Sequence, residues 1–286
     1  MLKRSTWADI DNVGDDDLLI AGEWLPLTIF YNTNGNFRQS TDAASGLGTA
    51  VGFWNNIEVG DFDKDGDLDI VAGNMGLNSK LRASEREPVT LYVKDFDNNG
   101  KLDQVLTHYV NGIEYVFYTR DEMVKQMPGL KKRYLSYSNF AKASFAEMFD
   151  AAAITGADRL KATCFESSYF ENLGGGKFKR KALDKSAQFS TISTGIVEDF
   201  DGDGNLDVLA AGNFFPINIQ MGRYDASYGL WMKGDGKGGL KSIAPYQSGF
   251  SVKGEIRQLI KLSVAGKDHY LAVRNNDLPE SLSLKK

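Results

Sequence analysis

The sequence predicts an all-β fold of about five four-stranded antiparallel units, which stack on one another as the blades of a β-propeller do. Two patterns predict this fold. A strand, an acidic loop and a second strand recur along the chain, and glycine-containing hairpin turns follow at a distance. The composition agrees, because 30 glycines against 6 prolines, with 12% aromatic residues, are typical of short strands joined by tight turns.

The acidic repeat is clearest in residues 57–74 and 196–213, which both contain an apolar run, the loop D-F-D-x-D-G-x-L-D and a second apolar run. A third copy spans residues 91–106, and a degenerate fourth copy spans residues 7–22. Apolar, β-branched runs on both sides of a glycine loop predict two strands joined by that loop. Each copy is therefore expected to supply one hairpin of a sheet.

A second hairpin is predicted in residues 30–37, 169–178 and 231–238, where glycine-rich turns such as Asn-Gly and Gly-Gly lie between apolar flanks. These turns accept the positive φ that tight hairpins require. Two hairpins make a four-stranded antiparallel sheet. Because such a sheet cannot cover both of its own faces, neighbouring sheets must stack.

The repeats are unevenly spaced, since the acidic loops begin at positions 9, 61, 95 and 199. Residues 121–149 account for part of the extra length. They predict helices, with a break at Pro128-Gly129 and Ser138 as an N-cap, and we interpret them as a helical insertion into the third unit. Residues 256–273 predict a last hairpin without an acidic loop, which we interpret as the closing blade.

The acidic loops carry the chemistry that calcium requires. In D-x-D-x-D-G-x-x-D, oxygens at positions 1, 3, 5 and 9 and the carbonyl of position 7 surround one point, and glycine at position 6 permits a sharp reversal. Clustered carboxylates repel one another unless a cation offsets the repulsion, and hard oxygen ligands favour Ca²⁺. The predicted calcium ligands are Asp61, Asp63, Asp65, Asp67 and Asp69; Asp95, Asp97, Asn99, Lys101 and Asp103; Asp199, Asp201, Asp203, Asn205 and Asp207; and Asp9, Asp11 and Asp17.

The alternative interpretation is that the loops are solvated Asp-Gly turns. It fits less well, because four aspartates and one glycine at these places arise by chance about once in a million windows. The loop at residues 9–17 departs from the pattern, since Val13 stands at position 5 and cannot act as a ligand. The sequence leaves calcium binding by that loop open.

Composition argues against several other classes of protein. The net charge of −5 and the lack of a basic stripe exclude nucleic-acid binding. The single Cys164 and the two histidines, His108 and His269, argue against redox and zinc chemistry. No apolar run approaches the ~20 residues of a membrane helix. Because the first residues do not resemble a secretory signal, we expect either a cytoplasmic protein or a piece of a longer exported one.

The acidic loops resemble the calcium sites of the FG-GAP/VCBS repeat family, which is related to the integrin α-chain propeller. More closely, residues 60–78, 121–149 and 222–229 resemble the C-terminal part of repeat-containing surface proteins of Bacteroidetes-type bacteria. The resemblance implies one propeller domain over residues 1–286, complete or part of a longer propeller. It also implies structural Ca²⁺, an extracellular or cell-surface location, and recognition or adhesion with an extracellular protein or glycan as partner. Integrin-like propellers have seven units where this chain has about five.

We predict a protein without catalytic activity, because the repeat accounts for the carboxylates as closed metal loops. A calcium-dependent polysaccharide lyase on a propeller fold is the alternative. The candidate residues for a ligand face, or for a lyase, are Arg223, Tyr224 and Asp225. Their simpler interpretation is loop packing with an ion pair between Arg223 and Asp225. Loop-flanking aromatic residues such as Trp54 and Trp231 are interpreted in the same way, as filling between the sheets.

Overall fold

The computed structural model describes residues 2–40, 43–218 and 220–283, and these residues form twenty strands whose pairings are all antiparallel. The strands are β1 (Leu2–Ala8), β2 (Asp17–Leu25), β3 (Thr28–Thr33), β4 (Asn36–Ser40), β5 (Gly52–Phe53), β6 (Asn56–Gly60), β7 (Asp69–Gly73), β8 (Val89–Lys94), β9 (Asp103–Val110), β10 (Ile113–Val116), β11 (Asp158–Ala162), β12 (Ser168–Asn172), β13 (Phe178–Ala182), β14 (Ile192–Glu198), β15 (Asp207–Gly212), β16 (Leu230–Gly234), β17 (Leu240–Ile243), β18 (Ile256–Val264), β19 (Lys267–Arg274) and β20 (Glu280–Leu282). The predicted all-β class is confirmed.

The helices are short. They are α1 (Arg120–Gln126), α2 (Leu130–Arg133), α3 (Tyr137–Lys142), α4 (Phe145–Met148), α5 (Ala151–Ile154) and α6 (Pro245–Ser248), with 3₁₀ turns at Ala43–Ser45 and Lys185–Gln188. Among the residues that the structure describes, none of these helices has the length and apolar character needed to cross a membrane.

The chain divides into two compact bodies. The first body comprises Met1–Ser79 and Phe165–Lys286, and the second body comprises Lys80–Cys164. The second body contains the third acidic loop, and in the chain it lies between β7 and β12, which pair with each other in one sheet. A complete repeat is thus inserted between the second and third strands of another repeat, which explains the uneven spacing of the loops. A single domain over residues 1–286 stays a prediction.

The described residues of the first body form four sheets. Sheet 1 has the order β1-β2-β3-β4 with β5 on β2, sheet 2 has β6-β7-β12-β13, sheet 3 has β14-β15-β16-β17, and sheet 4 has β18-β19-β20. The predicted hairpins are confirmed: β3 pairs with β4 across Asn34-Gly35, which both have positive φ, and β12–β13 and β16–β17 pair across longer loops that also contain glycines with positive φ. The sheets contact one another through their first strands, β1 against β6, β6 against β14 and β14 against β18.

Strand β15 shows why the sheets stack. Its six residues are all buried, although successive side chains of a strand point to opposite faces. Val208 and Ala210 pack in a cluster with Val71 of sheet 2, whereas Leu209 and Ala211 pack in a cluster with residues of sheet 4. Burying one such aliphatic side chain contributes about 1.5–3 kcal/mol. A central strand that is apolar on both faces is therefore stable only between two neighbouring sheets. Closure of the stack into a propeller stays a prediction.

The second body combines one sheet with five helices. Its strands lie in the order β10-β9-β8-β11, and α1–α5 occupy the connection from β10 to β11. The predicted break at Pro128-Gly129 is confirmed, since α1 ends before it and α2 begins after it. The predicted N-cap at Ser138 is wrong. Ser138 lies inside α3, and Ser136 caps that helix by accepting a hydrogen bond from the Asn139 amide.

Candidate metal centres

Each of the four acidic loops brings three carboxylates together, and each loop joins the first two hydrogen-bonded strands of its repeat. Ligand oxygens within each group lie within 4.8 Å of one another. The groups are Asp9, Asp11 and Asp17; Asp61, Asp63 and Asp65; Asp95, Asp97 and Asp103; and Asp199, Asp201 and Asp203. The loop at residues 9–17, which the sequence left open because of Val13, converges as the others do, since Asp17 joins Asp9 and Asp11.

The first aspartate of each loop folds the loop around itself. Asp95 accepts hydrogen bonds from the amides of Asn99 (3.0 Å) and Gly100 (2.8 Å), and equivalent bonds are made by Asp9, Asp61 and Asp199. The glycine at position 6 has a φ between +84° and +95° in all four loops, a conformation that favours glycine. The first carboxylate is therefore held at the centre of a tight turn.

At the middle positions, side-chain oxygens accept hydrogen bonds from backbone amides two residues further along the loop. In the 61–69 loop, the Asp65 amide donates to Asp63, and the Asp67 amide donates to Asp65 at 2.9 Å. The amides of Lys101 and Asn205 donate in the same way to Asn99 and Asp203, each at 2.9 Å. The predicted role of Asp67, Lys101 and Asn205 as carbonyl ligands stays a prediction.

The ninth position has a second role that the sequence did not reveal. Asp69 is buried, and its Oδ2 accepts hydrogen bonds from the Phe62 amide (3.3 Å) and the Tyr169 hydroxyl (2.6 Å), while its Oδ1 accepts one from the Asn172 amide (2.8 Å). Tyr169 and Asn172 belong to β12, about a hundred residues further along the chain. Asp69 therefore connects its loop to the third strand of sheet 2.

Two other ninth-position aspartates, Asp17 and Asp207, make the same connection to the third strand of their sheets. Asp17 accepts from the amides of Ile10 (3.0 Å) and Asn32 (2.7 Å), and Asp207 accepts from those of Phe200 (3.2 Å) and Gly234 (2.8 Å). In the second body, Asp103 accepts from the Phe96 amide at 2.9 Å. These three carboxylates are buried as well. The repeated arrangement makes position 9 a structural brace between loop and sheet.

Burial also changes the acidity of these braces. Desolvation raises the pKa of Asp69 to about 6, although the hydrogen bonds from Tyr169 and Asn172 act in the opposite direction. Desolvation likewise raises the pKa of Asp17, Asp103 and Asp207. A buried carboxylate without a nearby positive charge is costly, so a cation in the loop would favour the ionised form.

The surroundings of one Asp61 oxygen indicate whether this loop suits a cation. Asp61 Oδ1 is buried and has no hydrogen-bond partner among the described residues. Buried polar atoms are normally satisfied, and an orphaned one calls for a partner such as an ion. Since the Asp61 carboxylate belongs to the group formed with Asp63 and Asp65, the donor set of this loop fits a hard divalent cation.

The acidic loops of the first body lie at one end of their sheets. Asn12, in the first loop, donates to Asp67 Oδ1 at 2.8 Å in the second loop. The Asn172 side chain donates to the carbonyls of both Ile10 and Leu68, and the Gly238 amide of the third sheet donates to the Phe62 carbonyl. The first two acidic loops are thus linked by a direct hydrogen bond, and the second is linked to the turn between β16 and β17 of sheet 3.

The candidate ligand-face residues are packed into their own loop. Arg223 lies with its guanidinium carbon 3.7 Å from the centre of the Phe215 ring, and it forms the expected ion pair with Asp225 at 3.8 Å. Tyr224 is buried, and its hydroxyl lies 2.8 Å from Ser79 Oγ. Of these three residues, Arg223 and Asp225 present their charges to solvent. Ligand binding by these three residues stays a prediction.

The remaining residues singled out from the sequence take packing positions. Trp54 is fully buried against Phe170, and Cys164 is buried. His108 stacks edge-on against Phe117, and burial lowers its pKa. His269 lies in β19.

Antiparallel sheets with an acidic loop between their first two strands define a β-repeat protein with candidate cation sites. Residues 9–72 match the family model of the FG-GAP-like repeat, and the prediction of FG-GAP repeats is confirmed for this segment. The resemblance to Bacteroidetes-type surface proteins stays a prediction.

Neither curated proteins nor solved structures assign a function to the chain. No curated protein matches the chain. The structure of an Agrocybe aegerita lectin, described as the basis of specific recognition of non-reducing terminal N-acetylglucosamine, aligns with 98% of this chain and 80% of its own. The identity is 16% and the TM-score is 0.20, so the alignment shows neither a shared fold nor a shared ligand.

Proposed function

We propose that the chain is a calcium-dependent scaffold of the β-propeller type that serves extracellular recognition or adhesion. The observation that carries the proposal is the set of four acidic loops, each with three converging carboxylates. In one of these loops, Asp61 Oδ1 is buried without a hydrogen-bond partner among the described residues. The FG-GAP-like repeat in residues 9–72 supports a propeller scaffold, and such repeats are typical of extracellular proteins.

The aspartates at positions 1 and 3 would hold the cation, together with position 5 in the 61–69 and 199–207 loops and position 9 in the 9–17 and 95–103 loops. When bound, calcium supplies the positive charge that offsets these carboxylates. The chain contributes the rest: the first aspartate fixes the turn, and in the three loops of the first body the ninth aspartate ties the turn to the third strand of its sheet. Because the 9–17 and 61–69 loops are hydrogen-bonded through Asn12 and Asn172, ordering one of these two loops also restrains the other.

A thermal-unfolding experiment with a chelator tests calcium dependence. Binding to the native state adds RT ln(1 + [L]/Kd), which is about 2.7 kcal/mol at a hundredfold excess over Kd. EDTA should therefore lower the Tm, and calcium, but not equimolar magnesium, should restore it. Asp61→Asn should lose one calcium in calorimetric titration, whereas Asp158→Asn, an exposed residue of β11, should lose none. Identical melting curves with and without chelator would refute the proposal.

We further propose that the scaffold acts by binding an extracellular protein or glycan and has no catalytic activity. This proposal rests on family analogy for the partner, because a fold alone does not give function. The burial of Tyr224 supports a scaffold over a lyase, since a base that abstracts a substrate proton must be within reach of that substrate. Incubation with a panel of acidic polysaccharides tests this point: sustained release of unsaturated sugar, measured by its absorbance, would favour the lyase.

A further inference from the structure

Lys233 places a positive charge inside one of the four acidic loops. Its ammonium group contacts Asp201 Oδ2 and lies 2.9 Å from Asp203 Oδ2, so it bridges two of the three carboxylates that converge in the 199–207 loop. The three side chains are between 25% and 37% exposed, which makes this a partly desolvated contact. Charge-assisted hydrogen bonds of this kind are about twice as strong as neutral ones.

The register of the sheets shows that this lysine is specific to sheet 3. Val208 pairs with Met232, as Ile70 pairs with Phe170 in sheet 2 and Leu18 pairs with Phe30 in sheet 1. The residue that follows each partner is Lys233 in sheet 3, Glu171 in sheet 2 and Tyr31 in sheet 1. At equivalent places beside an acidic loop, sheet 3 therefore offers a cation and the other two sheets do not.

We propose that Lys233 is the resident cation of the 199–207 loop and competes there with calcium, an inference that rests on the proposed calcium binding. The ammonium offsets part of the repulsion between Asp201 and Asp203 without a metal. Calcium must displace it to reach the same oxygens, so this loop binds calcium more weakly than the 61–69 loop and keeps its fold at lower calcium concentrations. The loops of the first body then respond to calcium over separate concentration ranges.

Calcium titration of Lys233→Met tests the competition, because methionine keeps an unbranched apolar stem and removes the charge. Breaking one hydrogen bond to a charged group corresponds to about a tenfold change in affinity. We expect the variant to bind calcium about tenfold more tightly at one site. Adding Asp199→Asn should abolish that gain. In EDTA, Lys233→Met should have a lower Tm than the unmodified chain, and saturating calcium should restore it.

Lys3→Met is the matched control. It removes the same charge from an ion pair with Glu23, at the end of β1 far from the acidic loops, and it should leave calcium affinity unchanged. If Lys233→Met and the unmodified chain bound calcium with equal affinity at every site, the inference would be overturned. This holds whether or not the other loops bind calcium. A chain that binds no calcium would refute the proposed function. If the unmodified chain bound no calcium but Lys233→Met bound one calcium ion, competition between Lys233 and calcium would still be supported.

Discussion

At the residue scale, the ninth-position aspartates join two roles that the motif alone does not separate. Each was predicted as a metal ligand, and each also accepts backbone hydrogen bonds from its own loop. In Asp69, three protein donors occupy the two oxygens of one buried carboxylate. Its contribution to stability should therefore persist without calcium, in contrast to that of an exposed loop carboxylate.

Replacing Asp69 with alanine should destabilise the protein even in EDTA. The change leaves the Phe62 amide, the Asn172 amide and the Tyr169 hydroxyl buried without their acceptor, and each such group costs about 1–3 kcal/mol. We expect a loss of roughly 3–5 kcal/mol in urea unfolding. Asp65→Ala, at an exposed position of the same loop, should cost less than about 1 kcal/mol in EDTA.

The same comparison in saturating calcium separates the two roles, since Asp65→Ala should then lose the stabilisation that calcium provides. Asp69→Asn guards against a failure of the alanine variant to fold, because asparagine retains one acceptor oxygen. If Asp69→Ala unfolded in EDTA at the same urea concentration as the unmodified chain, the bracing role would be wrong.

Glu58 of β6 gives a prediction for pH. Its carboxylate accepts hydrogen bonds from the Gly195 amide of sheet 3 (2.9 Å) and from Asn56, and burial raises its pKa from 4.5 to about 7 in spite of these bonds and of the nearby Arg4 charge. A raised carboxyl pKa means that the folded state binds the proton more tightly. Protonated Glu58 therefore stabilises the folded state at low pH, and this contribution to the free energy of unfolding is lost as the pH rises from about 4.5 to 7.

Glu58→Gln should therefore become more stable relative to the unmodified chain as the pH rises through this range. One pKa unit corresponds to about 1.36 kcal/mol, so the difference should grow by roughly 3 kcal/mol. Urea unfolding of both proteins in EDTA at several pH values measures it, and the chelator keeps metal binding from varying with pH. A constant difference between the two proteins would show that Glu58 does not titrate in this range.

At the element scale, the sequence predicted local structure but not the contacts between segments that are distant in the chain. The hairpin at Asn34-Gly35 and the strands beside each acidic loop were predicted because turn chemistry and apolar runs are local signals. The N-cap of α3 was misplaced by two residues, since Ser136 and Ser138 have the same side chain and only the backbone conformation distinguishes them. The donors to Asp69 on β12 could not be predicted, because no local pattern records a pairing between such distant segments.

The contact between sheets 2 and 3 depends on the absence of a side chain at the end of β7. A Cβ atom on Gly73 would lie 2.4 Å from the Ile192 carbonyl oxygen, which belongs to the backbone of β14. Gly73→Ala should therefore push the two sheets apart and cost roughly 1–3 kcal/mol. Gly129→Ala is the control, because its Cβ meets nothing within 4 Å and its φ is negative. Equal Tm values for the two variants would contradict this account of the sheet contact.

At the scale of the whole molecule, the sequence predicted the repeats and missed how they are nested. Four acidic loops and a last hairpin in chain order suggested about five successive units, but sheet 2 is completed by β12 and β13 only after the 85 residues of the second body. Repeat detection follows similarity along the chain, whereas strand pairing between β7 and β12 joins segments that are not adjacent in sequence. The helical insertion was placed correctly within its own repeat because its apolar periodicity is local.

This nesting predicts that the second body can be removed. The chain leaves and re-enters the first body at neighbouring points, since the Gly76 amide donates to the Phe165 carbonyl at 2.8 Å and the Asn74 amide donates to Ser167 Oγ at 3.0 Å. A short Gly-Ser linker in place of residues 80–164 should therefore close sheet 2 without strain, because a linker of a few residues costs little closure entropy. The shortened chain should unfold cooperatively.

Its calcium stoichiometry should be one lower than that of the full chain, since only the 95–103 loop is lost. Thermal unfolding and calorimetric titration measure both quantities. A shortened chain that stays unfolded in saturating calcium would show that sheet 2 needs the inserted repeat to form, and that the two compact bodies fold as one.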